Sequence, residues 1–264
     1  MKKLVVANWK MYVEDKASAS RWLSKVSRAN PDAKGSGPRP KRRGKLNIEV
    51  WVAAPVVFIK KSSLPMGAQT VSQFENGAHT GELSAAVLKE AGAKFAIVGH
   101  SERRAMGENN DAVHAQLVQA THAGLTPLLC VGEGERTAEG AHFTFIEEQL
   151  TSALRGMQSI VEKLVVAYEP VWAIGKSASE AMKPQEVEET VIFIRKVLSD
   201  VLGREPARKV RVLYGGSVEG ENAHTLLHDG GVNGFLVGHA SATPESFIEI
   251  LKETGRLSKD VKAA

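Results

Sequence analysis

Eight short apolar runs, separated by segments with helical periodicity, constrain the fold of this chain more than any other feature of its sequence. The runs are continuous rather than alternating, which is typical of strands covered on both faces of a parallel sheet. We expect strands at residues 3–7, 48–53, 68–73, 95–99, 127–131, 164–168, 210–214 and 234–237. Strands that alternate with helices predict an α/β protein, either a closed (β/α)8 barrel or an open doubly wound sheet.

The segments between the runs have the apolar spacing and the end signals of amphipathic helices. The clearest begins near Lys183, has Pro184 in its first turn and stops at Gly203. Another opens at Pro244 with Glu245 in its first turn. The remaining helices are expected near 16–28, 84–91, 111–122, 142–155 and 221–228. The second connection, around residues 56–63, is short.

Chain length and the absence of a nucleotide-binding fingerprint favour the closed barrel. The chain has 264 residues, which fits one such barrel. An open nucleotide-binding sheet would carry G-x-G-x-x-G after an early strand, and the sequence has none. The tripeptide GKS at 175–177 looks like the end of a P-loop, but Pro170 occupies the position of the required glycine. We therefore expect a single domain over residues 1–264, with a loop-like insertion at about 30–46.

The positive charge of the chain is concentrated in that insertion. The net charge is +4, and residues 33–45 contain six Lys or Arg and no acidic residue, so the remainder sums to −2. Because no aromatic residue interrupts the basic run, we do not expect nucleic acid as the primary partner. A lone cysteine, Cys130, excludes an intrachain disulfide, and no apolar run reaches the roughly 18 residues of a membrane span. We expect a cytoplasmic protein without membrane contact.

Polar side chains follow several of the predicted strands. Asn8 and Lys10 follow the first strand, His100 the fourth and Glu169 the sixth. In a barrel these strand ends meet at one mouth, where active sites lie. Glycine-containing turns after the seventh and eighth strands are typical of backbone phosphate sites. A carboxylate, an imidazole and a cation at this mouth predict proton transfer beside a carbonyl of a small phosphorylated substrate, without a metal or a redox cofactor.

Four segments at these strand ends together resemble the triosephosphate isomerase family. They are ANWKM at 7–11, VGHSERR at 98–104, AYEPVWAIG at 167–175 and YGGSV at 214–218. The resemblance runs in order along nearly the whole chain. It implies a TIM barrel that interconverts dihydroxyacetone phosphate and D-glyceraldehyde 3-phosphate through an enediolate, as a step of glycolysis and gluconeogenesis.

The resemblance also implies roles for the residues of the barrel mouth. Glu169 corresponds to the base, neutral His100 to the electrophile, and Lys10 to the cation that offsets the charge of phosphate and enediolate. Residues 170–179 correspond to a lid whose closure excludes water. The implied substrate-binding residues are Asn8, Lys10, Gly175, Ser217, Gly238 and His239. The implied supporting residues are Glu102, Ile174, Leu236 and Thr80. The resemblance implies no metal and no cofactor.

Further segments bear on assembly and on departures from the family pattern. Residues 73–82 resemble the projecting loop through which the family forms homodimers, with Thr80 reaching the partner's site. His239 stands where the family has a second glycine. Its side chain could crowd the phosphate, strain the backbone or add a donor, and we expect activity to be retained. Residues 176–182 depart from the usual lid sequence, so we expect a different C-terminal hinge.

Two other functions stay open at this point. The chain could be a non-catalytic barrel that binds phosphorylated ligands, with His239 as the disabling change, although intact Lys10, His100 and Glu169 argue against it. The basic segment 33–45 could instead serve an acidic surface or a nucleic acid, which predicts salt-dependent retention on DNA.

Overall fold

Eight parallel strands form a ring in which each strand pairs with its sequence neighbours. The computed structural model describes residues 1–30, 48–136, 139–157, 163–176 and 180–260. The last strand pairs with the first, so the sheet closes into a barrel and the open sheet is excluded. The strands are β1 (Lys3–Asn8), β2 (Ile48–Ala54), β3 (Met66–Ala68), β4 (Phe95–Val98), β5 (Thr126–Val131), β6 (Val165–Tyr168), β7 (Arg211–Tyr214) and β8 (Gly234–Val237).

Helices follow the strands and cover the outside of the barrel. In the described part of the chain they are α1 (Lys16–Ala29), α2 (Ala85–Glu90), α3 (Ser101–Ala105), α4 (Asn110–His122), α5 (Ala141–Leu154), α6 (Pro184–Leu202), α7 (Arg204–Lys209), α8 (Gly220–Asp229) and α9 (Pro244–Asp260). Short 3₁₀ turns lie at Val56–Phe58, Val171–Ala173 and His239–Ser241. None of these helices is long and apolar enough to cross a bilayer.

Two layers of buried side chains hold the barrel together. The inner layer fills the barrel itself and consists of Leu4, Val6, Trp51, Ala53, Phe95, Ile97, Leu128, Cys130, Val165, Ala167, Leu213 and Leu236. The outer layer lies between strands and helices, because successive residues of a strand point to opposite faces. A filled interior leaves space for a ligand only at the ends of the strands.

β3 lies earlier in the chain than the sequence predicted. The strand was expected at 68–73, and the structure places it at Met66–Ala68. A Cβ atom on Gly67 would lie 2.4 Å from the ring of Phe95, so this position must be glycine where that ring fills the barrel. The prediction was wrong because Met-Gly-Ala contains no β-branched residue, whereas the following segment contains the apolar Val71.

The other seven strands match the predicted bounds to within one residue at each end, and the predicted helices are confirmed. Helices α3 and α7 were not predicted, because five or six residues are too few to show a helical period. Helix α6 follows its sequence signals closely. Pro184 is its first residue, and Gly203 follows its end with a φ of +84°. The basic insertion, apart from Asn30, lies outside the described residues.

Candidate functional site

A pocket of about 240 Å³ opens at the carboxyl ends of the strands. Asn8 ends β1, His100 lies two residues after β4, and Glu169 directly follows β6, so the parallel strands deliver all three to one mouth. The volume lies below the roughly 300–1,000 Å³ of pockets for drug-sized ligands, which suits a small substrate. The predicted site residues that line it are Asn8, Lys10, His100, Glu169, Ile174, Gly175, Ser217, Leu236, Gly238 and His239.

Glu169 is the buried carboxylate of the pocket, with 3 % of its surface exposed. Its Oε2 accepts a hydrogen bond from the backbone N–H of Ser101 at 3.0 Å, and its Oε1 lies 3.1 Å from His100 Nε2. A Cβ atom on Gly215 would lie 2.9 Å from Glu169 Cγ, so the glycine gives the side chain its space. Two donors therefore hold the carboxylate at the edge of the pocket, where a substrate can replace them.

His100 is held in one tautomer by the turn that begins α3. Its Nδ1 accepts a hydrogen bond from the backbone N–H of Glu102 at 3.1 Å, so the ring proton lies on Nε2. That nitrogen points to Glu169 and can donate. The local backbone thus presents a neutral imidazole with its N–H toward the pocket.

Lys10 has an unusual backbone and a fixed ammonium group. Its φ is 45°, and no other non-glycine residue in the described ranges has a positive φ. Gln69 Nε2 donates to the Lys10 carbonyl at 2.9 Å, and the Lys10 N–H donates to Asn8 Oδ1 at 3.2 Å. The ammonium Nζ pairs with Glu102 Oε1 at 2.6 Å. Surrounding contacts therefore maintain a strained backbone that aims the cation, as at many functional sites.

The turns after β7 and β8 bring glycine backbone to one end of the pocket. A Cβ atom on Gly216 would lie 2.4 Å from the hydroxyl oxygen of Tyr214. One on Gly238 would lie 3.0 Å from Lys10 Cε. Helix α8 begins at Gly220, directly after residues 217–219 that line the pocket. Exposed backbone N–H groups beside a helix N-terminus suit a phosphate group.

His239 is accommodated at this end without backbone strain. It begins the 3₁₀ turn His239–Ser241, and its φ is not positive. The backbone strain at His239 that the sequence left as one alternative is therefore absent. The ring is exposed and packs edge-on against Tyr12, with ring centroids 5.8 Å apart. Its side chain lies at the mouth, where it can meet a ligand.

The first part of the lid segment is tied to the barrel through Trp172 and Ala173. Glu133 Oε1 accepts from Trp172 Nε1 at 2.8 Å and from the Tyr168 hydroxyl at 2.9 Å. Ser217 Oγ donates to the Ala173 carbonyl at 2.9 Å. Residues 177–179, which the sequence included in the lid, lie outside the described residues. The anchored part carries Ile174 and Gly175 into the pocket wall.

Two of the supporting residues lie outside the pocket wall. Glu102 is half exposed and reaches the site through its pair with Lys10, whereas Thr80 is exposed in the segment 73–82. Sequence reasoning missed Gln69 and Ser101. Ser101 acts through its backbone N–H, which no side-chain pattern reveals, and Gln69 comes from the loop after the misplaced third strand.

The described residues contain no group of three or more His, Cys, Asp or Glu side chains placed to hold a metal ion. Cys130 lies inside the barrel, fully buried, and burial raises the pKa of its thiol. The sulfur is therefore protonated at neutral pH and packs as an apolar group.

Comparison with known proteins identifies the family. The family model described as triosephosphate isomerase matches residues 3–254. A triosephosphate isomerase from Protochlamydia amoebophila is 35% identical, covering 96% of this chain and 94% of its own length. One from Alkalilimnicola ehrlichii is 38% identical over 95% and 97%, and one from Thermus thermophilus is 38% identical over 96% and 98%. The chain belongs to the triosephosphate isomerase family.

Proposed function

We propose that this chain interconverts dihydroxyacetone phosphate and D-glyceraldehyde 3-phosphate by proton transfer through an enediolate. The observation that carries the proposal is the contact of Glu169 with the neutral imidazole of His100, 3.1 Å apart at the mouth of a barrel of this family. The pair supplies a base and a hydrogen-bond donor within reach of one small ligand.

The chemistry divides among three side chains. The carboxylate of Glu169 takes a proton from one carbon of the substrate and returns it to the neighbouring carbon. The Nε2–H of His100 donates to the substrate oxygen on which negative charge develops. Lys10, next to the same mouth, offsets the charge of the enediolate and of the phosphate. When substrate enters, its oxygens replace Glu169 as the acceptor that His100 faces.

The remaining residues of the site hold and enclose the substrate. We assign phosphate binding to the backbone around Ser217, Gly238 and His239, because glycines there let a ligand approach the main chain closely. Gly175 and Ile174 close the pocket from the lid side, and Leu236 lines its floor. Exclusion of water from the closed pocket strengthens the electrostatic contacts with the substrate.

Kinetics with D-glyceraldehyde 3-phosphate test the assignment of the base. We expect wild-type turnover, and a kcat reduced about 10²–10⁴-fold in Glu169→Asp and Glu169→Gln, because both variants misplace or remove the base. Glu205→Gln is the matched control, since Glu205 is 77% exposed in α7 far from the pocket, and it should keep wild-type kcat.

Two outcomes would contradict this proposal. A folded wild-type protein without turnover would favour the non-catalytic phosphate-binding barrel. A Glu169→Gln variant with near wild-type kcat would leave the isomerase reading intact and remove Glu169 as its base.

We also propose a homodimer formed through residues 73–82. Exposed apolar side chains support it: Phe74, within the segment, is 40% exposed, and Met11 and Met106, outside it, are 89% and 75% exposed. Such side chains commonly mark an interface. Sedimentation should give a mass near twice 28.4 kDa, and Thr80→Arg together with Met106→Glu should lower it toward one chain. A wild-type mass of one chain at micromolar concentration would overturn the dimer.

A cytoplasmic location completes the proposal. Its support is the free, buried thiol of Cys130, which suits a reducing compartment. Cell fractionation tests it, and recovery with secreted proteins would contradict it.

A further inference from the structure

His239, Tyr12 and Glu219 form a cluster at the rim of the pocket, and the proton transfer proposed above uses none of the three side chains. The rings of His239 and Tyr12 meet edge-on at an interplanar angle of 81°. All three residues line the pocket. The backbone at His239 has no positive φ, so its conformation does not require any particular residue type there.

The charges of this cluster are coupled. Burial raises the pKa of the Glu219 carboxyl, the charge of His239 acts in the opposite direction, and Glu221 raises it further. A half-buried carboxylate beside the phosphate end repels an anionic ligand unless a cation partners it. Imidazole is the side chain that gains and loses such a charge near neutral pH.

We propose that His239 is a proton-dependent phosphate contact: its imidazolium offsets the charge of the nearby Glu219 carboxylate in the free protein and donates to the phosphate of the substrate in the complex. Affinity for the phosphorylated ligand then falls as rising pH removes the proton from the ring. The inference rests on the proposed function, because it takes the turns after β7 and β8 as the phosphate end.

Other groups face the cluster from each neighbouring segment, and their charges bear on the test. They are Lys10 and Tyr12 after β1, Lys176 in the lid, and Glu219 and Glu221 at the start of α8. The charge of each carboxyl group can be removed by its own variant, Glu219→Gln or Glu221→Gln.

The first measurement is the inhibition constant of inorganic phosphate against turnover, at pH 6 and pH 8.5. We expect His239→Asn to raise this constant about 10-fold at pH 6, since a charge-assisted hydrogen bond is lost, and less than 2-fold at pH 8.5. The ratio of variant to wild type at each pH cancels the ionisation of phosphate itself. His228→Asn is the matched control, because His228 is 62% exposed on α8 outside the pocket, and its ratio should stay near one.

Two results would overturn the inference. If the ratio of the His239→Asn inhibition constant to the wild-type constant is raised equally at both pH values, the ring acts without its charge, as a neutral donor or a spacer. A ratio near one at both would mean that the ring does not meet phosphate.

The second measurement follows the His239 ring itself by NMR. Binding and protonation are reciprocal, so a tenfold gain in phosphate affinity from the proton requires phosphate to move the titration midpoint of the ring up by about one pH unit. We expect that upward shift for His239 and none for His228. An unchanged His239 midpoint in saturating phosphate would overturn the inference.

Removing the competing carboxylate should act in the opposite direction. Glu219→Gln keeps the shape of the side chain but not its charge, so we expect tighter phosphate binding and a lower His239 midpoint in the free protein. Glu221→Gln is its control, with smaller changes in both. Weaker phosphate binding in Glu219→Gln would contradict the proposed opposition of the Glu219 charge to the phosphate.

These readouts separate the inference from the proposed function. The NMR titration with inorganic phosphate needs no turnover. A phosphate-dependent His239 midpoint in an inactive protein would refute the isomerase and keep the phosphate contact. An active isomerase with a pH-independent variant ratio would keep the function and refute the role of His239.

Discussion

At the scale of single residues, the candidate site combines side chains that face the pocket with backbone groups that position them. Lys10, His100 and Glu169 follow apolar runs, and the barrel brings them together as expected. The N–H of Ser101 and the strained φ of Lys10 depend on geometry that residue types do not encode. Glu133 was missed as well, because it acts by accepting hydrogen bonds from the Tyr168 hydroxyl and from Trp172 Nε1.

Two glycines after β5 give a prediction at the scale of single atoms. A Cβ atom on Gly132 would lie 1.8 Å from the Glu169 carbonyl oxygen, whereas one on Gly134 would meet nothing within 4 Å. We expect Gly132→Ala to lower the free energy of unfolding by about 1–3 kcal/mol, and to lower kcat by displacing Glu169, the proposed base.

Urea unfolding and kinetics of both variants check this prediction. Gly134→Ala, two residues away in the same loop, should stay within about 0.5 kcal/mol of wild type. Equal stability of the two alanine variants would show that the close contact between Gly132 and the Glu169 backbone does not require a glycine.

At the scale of elements, sequence patterns worked for long segments and failed for short ones. Helix α6 has enough turns to show its period and both of its end signals. β3 has three residues, and its central Gly67 is set by the ring of Phe95 from another strand. Such a tertiary contact overrides local propensity, which is why that strand was misplaced.

The basic segment gives a prediction at this scale. It joins α1, which ends at Ala29, to β2, which begins at Ile48, and so attaches at the end of the barrel opposite the pocket. Deleting residues 33–45 should leave kcat/KM within twofold of wild type, and should lower retention on a cation exchanger because six positive charges are lost.

Salt-gradient elution and steady-state kinetics of the deletion variant measure both effects. A variant in which Lys and Arg of 33–45 become Gln is the control, because it removes charge without shortening the chain. A folded deletion variant that has lost most of its activity would place the segment in function.

At the scale of the whole molecule, the ring of eight strands was the most predictable property, because alternation of strands and helices recurs along the entire chain. Its response to pH was not predictable. Tyr168 and Tyr214 are register partners in β6 and β7. Burial, and the nearby carboxylate of Glu133, raise the pKa of both hydroxyls.

These raised pKa values predict instability in alkali. Below pH 10 both hydroxyls keep their protons in the folded and unfolded states. Above pH 10 only the unfolded chain releases them, so the free energy of unfolding falls as pH rises, with a slope that approaches about 1.4 kcal/mol per pH unit for each tyrosine. Urea unfolding at pH 9, 10 and 11 should show this loss.

Tyr214→Phe isolates the contribution of one hydroxyl. It should reduce the loss between pH 10 and 11 by about 1 kcal/mol relative to wild type, because the unfolded tyrosine is only half ionised at pH 10. Tyr12→Phe, which alters a half-exposed ring, is the control. An identical pH dependence in Tyr214→Phe and wild type would contradict the prediction.

The pairing of β8 with β1 has a consequence for how the protein is made. Lys10 follows the first strand and Gly238 the last, and they meet only when the ring closes. During synthesis, every nascent chain shorter than about 237 residues therefore keeps two unpaired strand edges, which are templates for association with other chains. A chain that lacks β8 and α9, through early termination or proteolysis, therefore has no closed site. It exposes an open sheet that is prone to aggregation and becomes a substrate for chaperones and proteases.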